Sequence, residues 1–356
     1  MSNLPTPDFA FDPSASGACV AGVRPYREGS YRLEGVPDGA RYIVHNYGHG
    51  GAGITLSLGC ADRVRNLVAA RIATTHDTSV AVLGAGVMGL TAATALADLG
   101  LTVTVYTDRP LEATTSHRAG GQWAVSIVQF GGKEQELGQI LRVAHAGFTA
   151  LLGRGYGVYE RPNYSSIRTP GLEDVIRLAP GLIPEPTPLA RMPFEGHTGP
   201  GFEYQTLLIE PPVFLPRIRD DLCARGVVFV EHHFATAADV FAMVPDNVVV
   251  NCTGYGARAL FGDPAMHAVR GQLAMLPAQA ELTYLYGQNG YLFPRTDHVV
   301  IGGTVEFGDD SEIPDPAECT ALVDHMAGLF GVAAPVPLSR KHIHHPSNVS
   351  LVAVGS

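Results

Sequence analysis

A chain of 356 residues, 46% hydrophobic and 16% charged, carries enough apolar surface for a large core and about two domains. Its formal charge of −10 excludes a main role in binding nucleic acid, which needs clustered Lys and Arg. No apolar run approaches the roughly 18 residues of a membrane span, and no CxxC pair occurs among Cys19, Cys60, Cys223, Cys252 and Cys319.

Residues 1–16 are rich in Pro, Asp and Ser and read as a loose leader without the basic and apolar regions of a signal peptide. The dispersed thiols and this leader together point to a reducing, cytoplasmic setting. Short extended pieces are expected from Cys19 to Leu33, around VRPYREGSYRLE. Residues 42–53, YIVHNYGHGGAG, start like a strand and continue as a loop dense in Gly and His. Apolar residues then recur at helical spacing from Ile54 to about Ile72: Leu56, Cys60, Val64, Leu67, Val68 and Ile72. Glycines ahead of that helix let backbone approach a ligand, and the helix N-terminus favours anionic groups. TTHDTS, residues 74–79, reads as a polar linker.

Residues 80–108 are the most informative stretch. VAVLGAGVMGLTAATALADLGLTVTVYTD reads as strand, glycine turn, helix and strand, with Gly84, Gly86 and Gly89 forming GxGxxG. Gly84 permits the tight turn, Gly86 lets the backbone reach a pyrophosphate, and Gly89 allows close helix–strand packing. Asp108 lies about 20 residues on, where an acid holds an adenosine ribose. Residues 207–234 read as a helix and a strand, NVVVNCTGYG (247–256) as a buried strand entering a glycine turn, and 270–305 as alternating strands. The tail from Ala333 to Ser356 has no period. The fingerprint alone fits FAD or NAD. A second glycine-rich helix entry at 48–53 and the turn after strand 248–251 give several backbone approaches to one large cofactor, which favours non-covalently held FAD.

The stretches VAVLGAGVMGL (80–90), VYTDR (105–109), AGGQW (119–123), VVNCTG (249–254), VRGQL (269–273), GYLFPRTDHVVIGGTVEFGD (290–309), GVRPYREGSYRLE (22–34) and VHNYGHGGAGIT (44–55) resemble the D-amino-acid oxidase and D-aspartate oxidase family. In that family the fingerprint strand comes first and the RPxR and HNYGHGG elements come last. Here those two elements occupy 22–55 and precede it, a circular permutation. The five or six linker residues before strand 80–83 span at most roughly 20 Å, so the joined ends must lie close together.

The resemblance implies an α/β fold in which a Rossmann-like FAD-binding domain (36–125 and 205–260) interleaves with a substrate domain (17–35, 126–204 and 261–332) built on a mixed, largely antiparallel sheet. Residues 1–16 and 333–356 remain an unassigned leader and tail. It implies an FAD-dependent oxidase of a D-amino acid, with O2 as acceptor, a small amino acid as substrate, and no nucleic acid or membrane partner. A homodimer is compatible with it. Alternatives on the same fold are a glycine- or sarcosine-type amine oxidase, a dehydrogenase, or a catalytically silent FAD-binding protein.

The roles implied are residue by residue. By alignment of RPxR, Arg27 clamps the substrate carboxylate, helped by the Tyr291 hydroxyl, while the Gly51 carbonyl meets the amine. The cofactor would be bordered by Gly84, Gly86, Val87, Met88, Gly89, Asp108, Arg109, Thr114, Thr115, Gly120, Gly121, Gln122, Phe234, Cys252, Thr253 and Gly254, and at its flavin end by Gly50, Gly53, Ile54 and Thr55. His45 and His49 read as structural hydrogen-bonders. His342, His344 and His345 lack a carboxylate set nearby, so no metal is expected. Two departures from the family pattern affect the pocket. Gly287 stands where a lid Tyr is expected, with Tyr284 or Tyr286 as substitutes, and Gln122–Trp123 are in an unusual order.

Overall fold

Two kinds of strand coexist in the chain. SVAVL (79–83) and VVVN (248–251) are buried on almost every residue, as strands covered on both faces must be, whereas CVAGVRPYR (19–27) mixes buried and half-exposed positions. They belong to different sheets. A computed structural model describes residues 3–288 and 290–334.

In chain order the elements are β1 (Cys19–Arg27), β2 (Arg32–Asp38), β3 (Arg41–Tyr47), α1 (Gly53–Thr75), β4 (Ser79–Leu83), α2 (Val87–Asp98), β5 (Thr102–Thr107), α3 (Glu134–Thr149), β6 (Val158–Ser165), α4 (Pro170–Leu178), β7 (Thr187–Leu189) and β8 (Gly201–Ile209). They continue with α5 (Pro211–Ala224), β9 (Val228–Glu231), α6 (Ala237–Met243), β10 (Val248–Asn251), α7 (Ala257–Leu260), β11 (Met266–Pro277), β12 (Leu285–Gly287), β13 (Tyr291–Pro294), β14 (His298–Gly302), β15 (Glu306–Phe307) and α8 (Pro316–Leu329).

The first sheet has the order β2-β3-β10-β4-β5-β9 and is parallel except for the β2–β3 hairpin. α1, α2 and α5 pack in series beside it, and their apolar faces share one core with Val80, Val82, Val248 and Val250. The second sheet runs β1-β11-β14-β13-β12-β6-β8-β7, with β15 on β11, and is antiparallel apart from the β12–β6 pair. This is a mixed α/β fold with a largely antiparallel second sheet. β10 stands between β3 and β4, so the segment that precedes the fingerprint is woven into the same sheet as the fingerprint.

The structure changes two readings at the chain's start. Residues from Leu4 onward are not loose: Leu4 N–H donates to Pro193 O (2.7 Å), the Tyr284 hydroxyl donates to Pro5 O (2.7 Å), and Phe9 packs on Phe330 with ring centroids 5.8 Å apart. Leu4, Phe9 and Phe11 thereby cover the second core, an apolar spacing that the polar composition hides. α1 runs three residues further than its apolar period, because the Thr74 and Thr75 hydroxyls donate back to Arg71 O and His76 closes the helix in the left-handed region. The connection to β4 is therefore only residues 76–78.

Candidate active site

A cavity of about 1550 Å³ lies between the two sheets, beyond the roughly 300–1,000 Å³ of a typical small-ligand pocket. Its lower wall is built by the turns that follow β4, β10 and β3. Gly84 holds φ +98°, and a Cβ there would collide with the Cys252 carbonyl. A Cβ on Gly89 would overlap the Gly84 carbonyl, so α2 can approach its own turn only with glycine at both positions. Gly86 caps α2 in an extended conformation with no side-chain hydrogen bond. The first helical amide, Val87 N–H, donates to Ser116 Oγ (3.0 Å). α1 likewise starts without a side-chain cap or an acidic first turn, at Gly53 on the cavity wall. Two uncapped N-termini carrying partial positive charge, at glycines that leave space, suit an anionic, extended ligand.

The fingerprint residues Gly84, Gly86, Val87 and Met88 line the cavity, and Gly89 lies behind them as a packing glycine. Asp108 stands just past β5, paired with Arg109 (3.1 Å), which also reaches Glu312 (2.9 Å). Arg118 joins the same Glu312 carboxylate (3.0 Å), closing this end with a charged network. Thr114 and Thr115 line the wall, though the Thr114 hydroxyl is used by its own turn on Leu111 O. Gly120 packs under the Tyr291 and Phe293 rings. Gly121 holds φ +107° against the Ile209 carbonyl.

Gln122 faces the cavity, but its amide is tied to Asn163 (3.2 Å) and the Tyr204 hydroxyl (3.4 Å). Phe234 sits edge-on to Tyr106. Cys252, Thr253 and Gly254 follow β10, where Asn251 Oδ1 accepts from both the Thr253 amide and hydroxyl.

At the opposite end, Gly50, Gly51, Gly53, Ile54 and Thr55 border the cavity. A Cβ on Gly50 would overlap the Ile127 carbonyl. Thr55 Oγ1 donates to Ala124 O (2.8 Å) and accepts from Ala124 N–H (3.0 Å), fixing α1 to the segment after Trp123. His45 of β3 and His49 of the turn that follows it stay neutral. Burial pulls His45 down to about 4 and His49 to about 3. His45 Nδ1 is 3.2 Å from Asn251 Nδ2, and His49 Nε2 is 3.5 Å from the Cys60 thiol.

The upper wall is the second sheet, and here one expectation changes. Arg27 does not line the cavity. Its guanidinium is held by Asp263 (2.8 Å) and by the Ser30 carbonyl (2.8 Å), and Asp263 also accepts from the Tyr47 hydroxyl (2.8 Å). Arg24, the first arginine of RPYR, is the one on the wall. Residues three apart on a strand point to opposite faces, so β1 can deliver only one of the two. Arg24 Nη1 donates to Arg270 O (3.1 Å) and Thr304 O (3.0 Å). No carboxylate pairs with it among the described residues.

Tyr291 is hydrogen-bonded to Arg24 and stacked on Phe293 at 4.3 Å. Burial raises the Tyr291 hydroxyl above its ordinary range while the Arg24 charge acts in the opposite direction. Neither expected substitute for the lid Tyr is at the site: Tyr284 and Tyr286 are fully buried in the second core with Phe194 and Phe330. Gly287 lines the cavity instead, next to Asn163 of β6 and Gln122. Arg24, Ser116, Asn163 and Tyr204 were not singled out from sequence. Strand alternation could have found Arg24; the others depend on cross-strand register. The His342–His345 cluster lies outside the described residues.

A glycine-cradled cavity, two uncapped helix N-termini and an acidic residue at the end of the second fingerprint strand define a dinucleotide-cofactor oxidoreductase. Residues 79–345 match the family model described as FAD dependent oxidoreductase, and the chain belongs to that family. FAD is therefore its cofactor, and the glycine cradles just described fit it.

A D-amino-acid oxidase from Streptomyces coelicolor is 33% identical over 271 residues, covering 71% of this chain and 78% of that protein. A D-aspartate oxidase from Homo sapiens is 27% identical over 288 residues, covering 73% and 80%. Among solved structures, glycine oxidase from Bacillus cereus superposes with a TM-score of 0.54 at 16% identity over 70% of this chain and 77% of that one, a likeness of fold alone. Among the described residues, no helix is long and apolar enough to cross a membrane.

Proposed function

We propose that the chain oxidises free D-amino acids to imino acids, which then hydrolyse, with O2 as the electron acceptor. The observation that carries this is Arg24 on the cavity wall beside Tyr291, a half-buried cation with no carboxylate partner among the described residues. Guanidinium forks bind carboxylates in bidentate fashion and strongly when partly buried. The D configuration rests on the printed names of the relatives in Streptomyces coelicolor and Homo sapiens.

Arg24 takes the substrate carboxylate and Tyr291 donates a hydrogen bond to it. The Gly51 carbonyl accepts from the amine. Tyr291 has its proton held by burial, so it positions and does not act as a base near neutral pH. An amine that enters neutral needs no protein base. Bound FAD would supply the two-electron acceptor for the substrate Cα hydride, with O2 as the final oxidant and H2O2 as its product.

The circular permutation belongs to the same proposal. The family match begins at residue 79, where β4 begins, and leaves out 1–78. Yet β1, β2, β3 and α1 from that segment complete both sheets, and three residues join α1 to β4. The two-domain division and a cytoplasmic site, suggested by the free thiols, complete the reading.

The test is anaerobic mixing of the yellow holoprotein with D-alanine, L-alanine and glycine, followed by peroxide measurement in air. Bleaching by D-alanine with peroxide release supports the proposal. Bleaching by glycine alone would replace it with an amine oxidase, bleaching without peroxide with a dehydrogenase, and no bleaching with a silent flavoprotein.

A further inference from the structure

We infer that the side-chain end of this cavity selects amino acids with an uncharged, hydrogen-bonding side chain, a primary amide above all, because Gln122 and Tyr204, backed by Asn163, present one acceptor and one donor beside the carboxylate clamp. This rests on the oxidase reading and names its substrate class.

The placement follows from register. Tyr204 of β8 pairs with Asn163 of β6, Asn163 pairs with Leu285 of β12, and Gly287 of the same strand pairs with Tyr291 of β13. Residues 285 and 287 share a face, so Tyr204, Asn163, Gly287 and Tyr291 lie on one face of the sheet, with Gly287 and Tyr291 two residues along the strands from the Asn163 row. Two strand spacings separate β6 from β13, on the order of 10 Å. Hydrogen bonds of about 3 Å at each end leave a gap that a short amino-acid skeleton fills.

The chemistry follows from the hydrogen bonds already made. Both N–H groups of Gln122 are used, on Asn163 Oδ1 and on the Tyr204 oxygen. Gln122 Oε1 has no partner among the described residues, and the Tyr204 proton has no acceptor there. Burial pushes the Tyr204 hydroxyl up to about 12, so it remains a donor. Asn163 is fully buried, and its Nδ2 makes only a long 3.5 Å contact with the Tyr164 carbonyl. It holds Gln122 in place.

No described Lys, Arg or His hydrogen-bonds to any of the three, so the cluster itself offers a substrate side chain neutral partners and no cation. An aliphatic side chain would leave the Gln122 and Tyr204 groups unpaired. Gly287 keeps the approach open: even a Cβ there would lie 3.5 Å from Asn163 Oδ1 and 3.9 Å from Gln122 Oε1, so a bulky residue would cover both.

Three near-isosteric substrates test this on the FAD-loaded protein: D-asparagine, D-leucine and D-aspartate. The expected kcat/KM for D-asparagine exceeds both others by at least about tenfold. A binding readout without turnover uses the deaminated analogues succinamate, 4-methylpentanoate and succinate, with calorimetric Kd values in the same order. Gln122→Leu should shrink the asparagine-to-leucine ratio by at least about tenfold, and Tyr204→Phe by a smaller factor. Both are ratios within one variant, so a general loss of stability cancels. A wild-type preference for D-leucine or D-aspartate, or ratios unmoved in both variants, overturns the inference while leaving D-alanine oxidation and the oxidase reading intact. Failure of every D-amino acid, D-alanine included, to bleach the flavin overturns both.

Discussion

Arg24 lies flat over Gly271, so that a Cβ built at residue 271 would overlap the guanidinium. Gly271 pairs with Gly22 across the β1–β11 ladder, which makes it the diagonal neighbour of Arg24. The glycine is thus a seat that sets the height of the cation above the sheet. Gly271→Ala leaves the strand intact but lifts Arg24 off its carbonyl partners. The expected result is a KM for D-alanine raised at least about tenfold, or about 1.4 kcal/mol, with FAD content unchanged. Steady-state kinetics and the flavin-to-protein absorbance ratio measure this together. An unchanged KM means the carboxylate is bound elsewhere.

The two arginines of RPYR should separate binding from stability. Arg24→Leu removes the proposed clamp, and KM should rise at least about tenfold while melting changes little. Arg27→Leu leaves Asp263 and its 4% exposed side chain without their cation, costing about 2 kcal/mol of stability with KM nearly unaltered. Tyr291→Phe should raise KM less than Arg24→Leu does, because it removes one hydrogen bond and no charge. Flavin reduction at saturating substrate should survive it. Rapid anaerobic mixing settles that last point, and loss of reduction would restore a proton-transfer role to Tyr291.

The sequence carried the first sheet well and the second poorly. GxGxxG is a local device, and each of its glycines answers to a contact within a few residues or in the next strand, as Gly84 and Gly89 do. The HNYGHGG segment and its helix also read as one unit, and the structure builds them in succession as the end of β3, a tight turn and α1. What failed was assignment across strands. RPYR offers two arginines to an alignment, and only the face of β1 decides between them. Tyr284 and Tyr286 look like lid residues in a linear reading. Their side chains instead fill a core that the leader helps to close, a contact between residues about 280 positions apart. The Gln122–Asn163–Tyr204 group draws on three separate segments and has no linear pattern at all.

Gly89→Ala tests the cofactor cradle independently of substrate. Its added methyl meets the Gly84 carbonyl, a backbone atom that cannot rotate away, and α2 must shift from β4. The expected loss is about 1–3 kcal/mol of stability and most of the bound FAD. Gly100→Ala is the control for substituting a glycine near the same helix: φ is +80° there, so it carries backbone strain, but nothing lies within 4 Å. It should lose stability while keeping its yellow colour. Flavin retained in Gly89→Ala at the wild-type ratio would show that the turn tolerates displacement.

Acid should weaken the fold before the lowered carboxylates titrate. Burial, the largest cause for both, holds His45 near 4 and His49 near 3, whereas an unfolded histidine titrates near 6.5. Burial lowers His117, His145 and His197 in the same direction. Between about pH 4 and 6.5 the unfolded chain therefore binds protons that the folded chain refuses, and stability rises with pH across that window. Read downwards, stability is full above about pH 7 and is lost steadily as pH falls from 6.5 towards 4. The lowered Asp263 and Asp297 carboxylates add their own loss only below about pH 4. Melting temperatures of the holoprotein at pH 7.5, 6.5, 5.5 and 4.5 should fall monotonically. His49→Gln removes one of the refused protons, so its profile should be flatter between pH 6.5 and 4.5 even if its melting point at pH 7.5 is lower, since the lost His49–Cys60 contact acts equally at every pH. A wild-type profile that stays level to pH 4.5 would mean that these histidines accept protons in the folded state, and that the end of β3 and the turn carrying His49 are wetter than their burial implies.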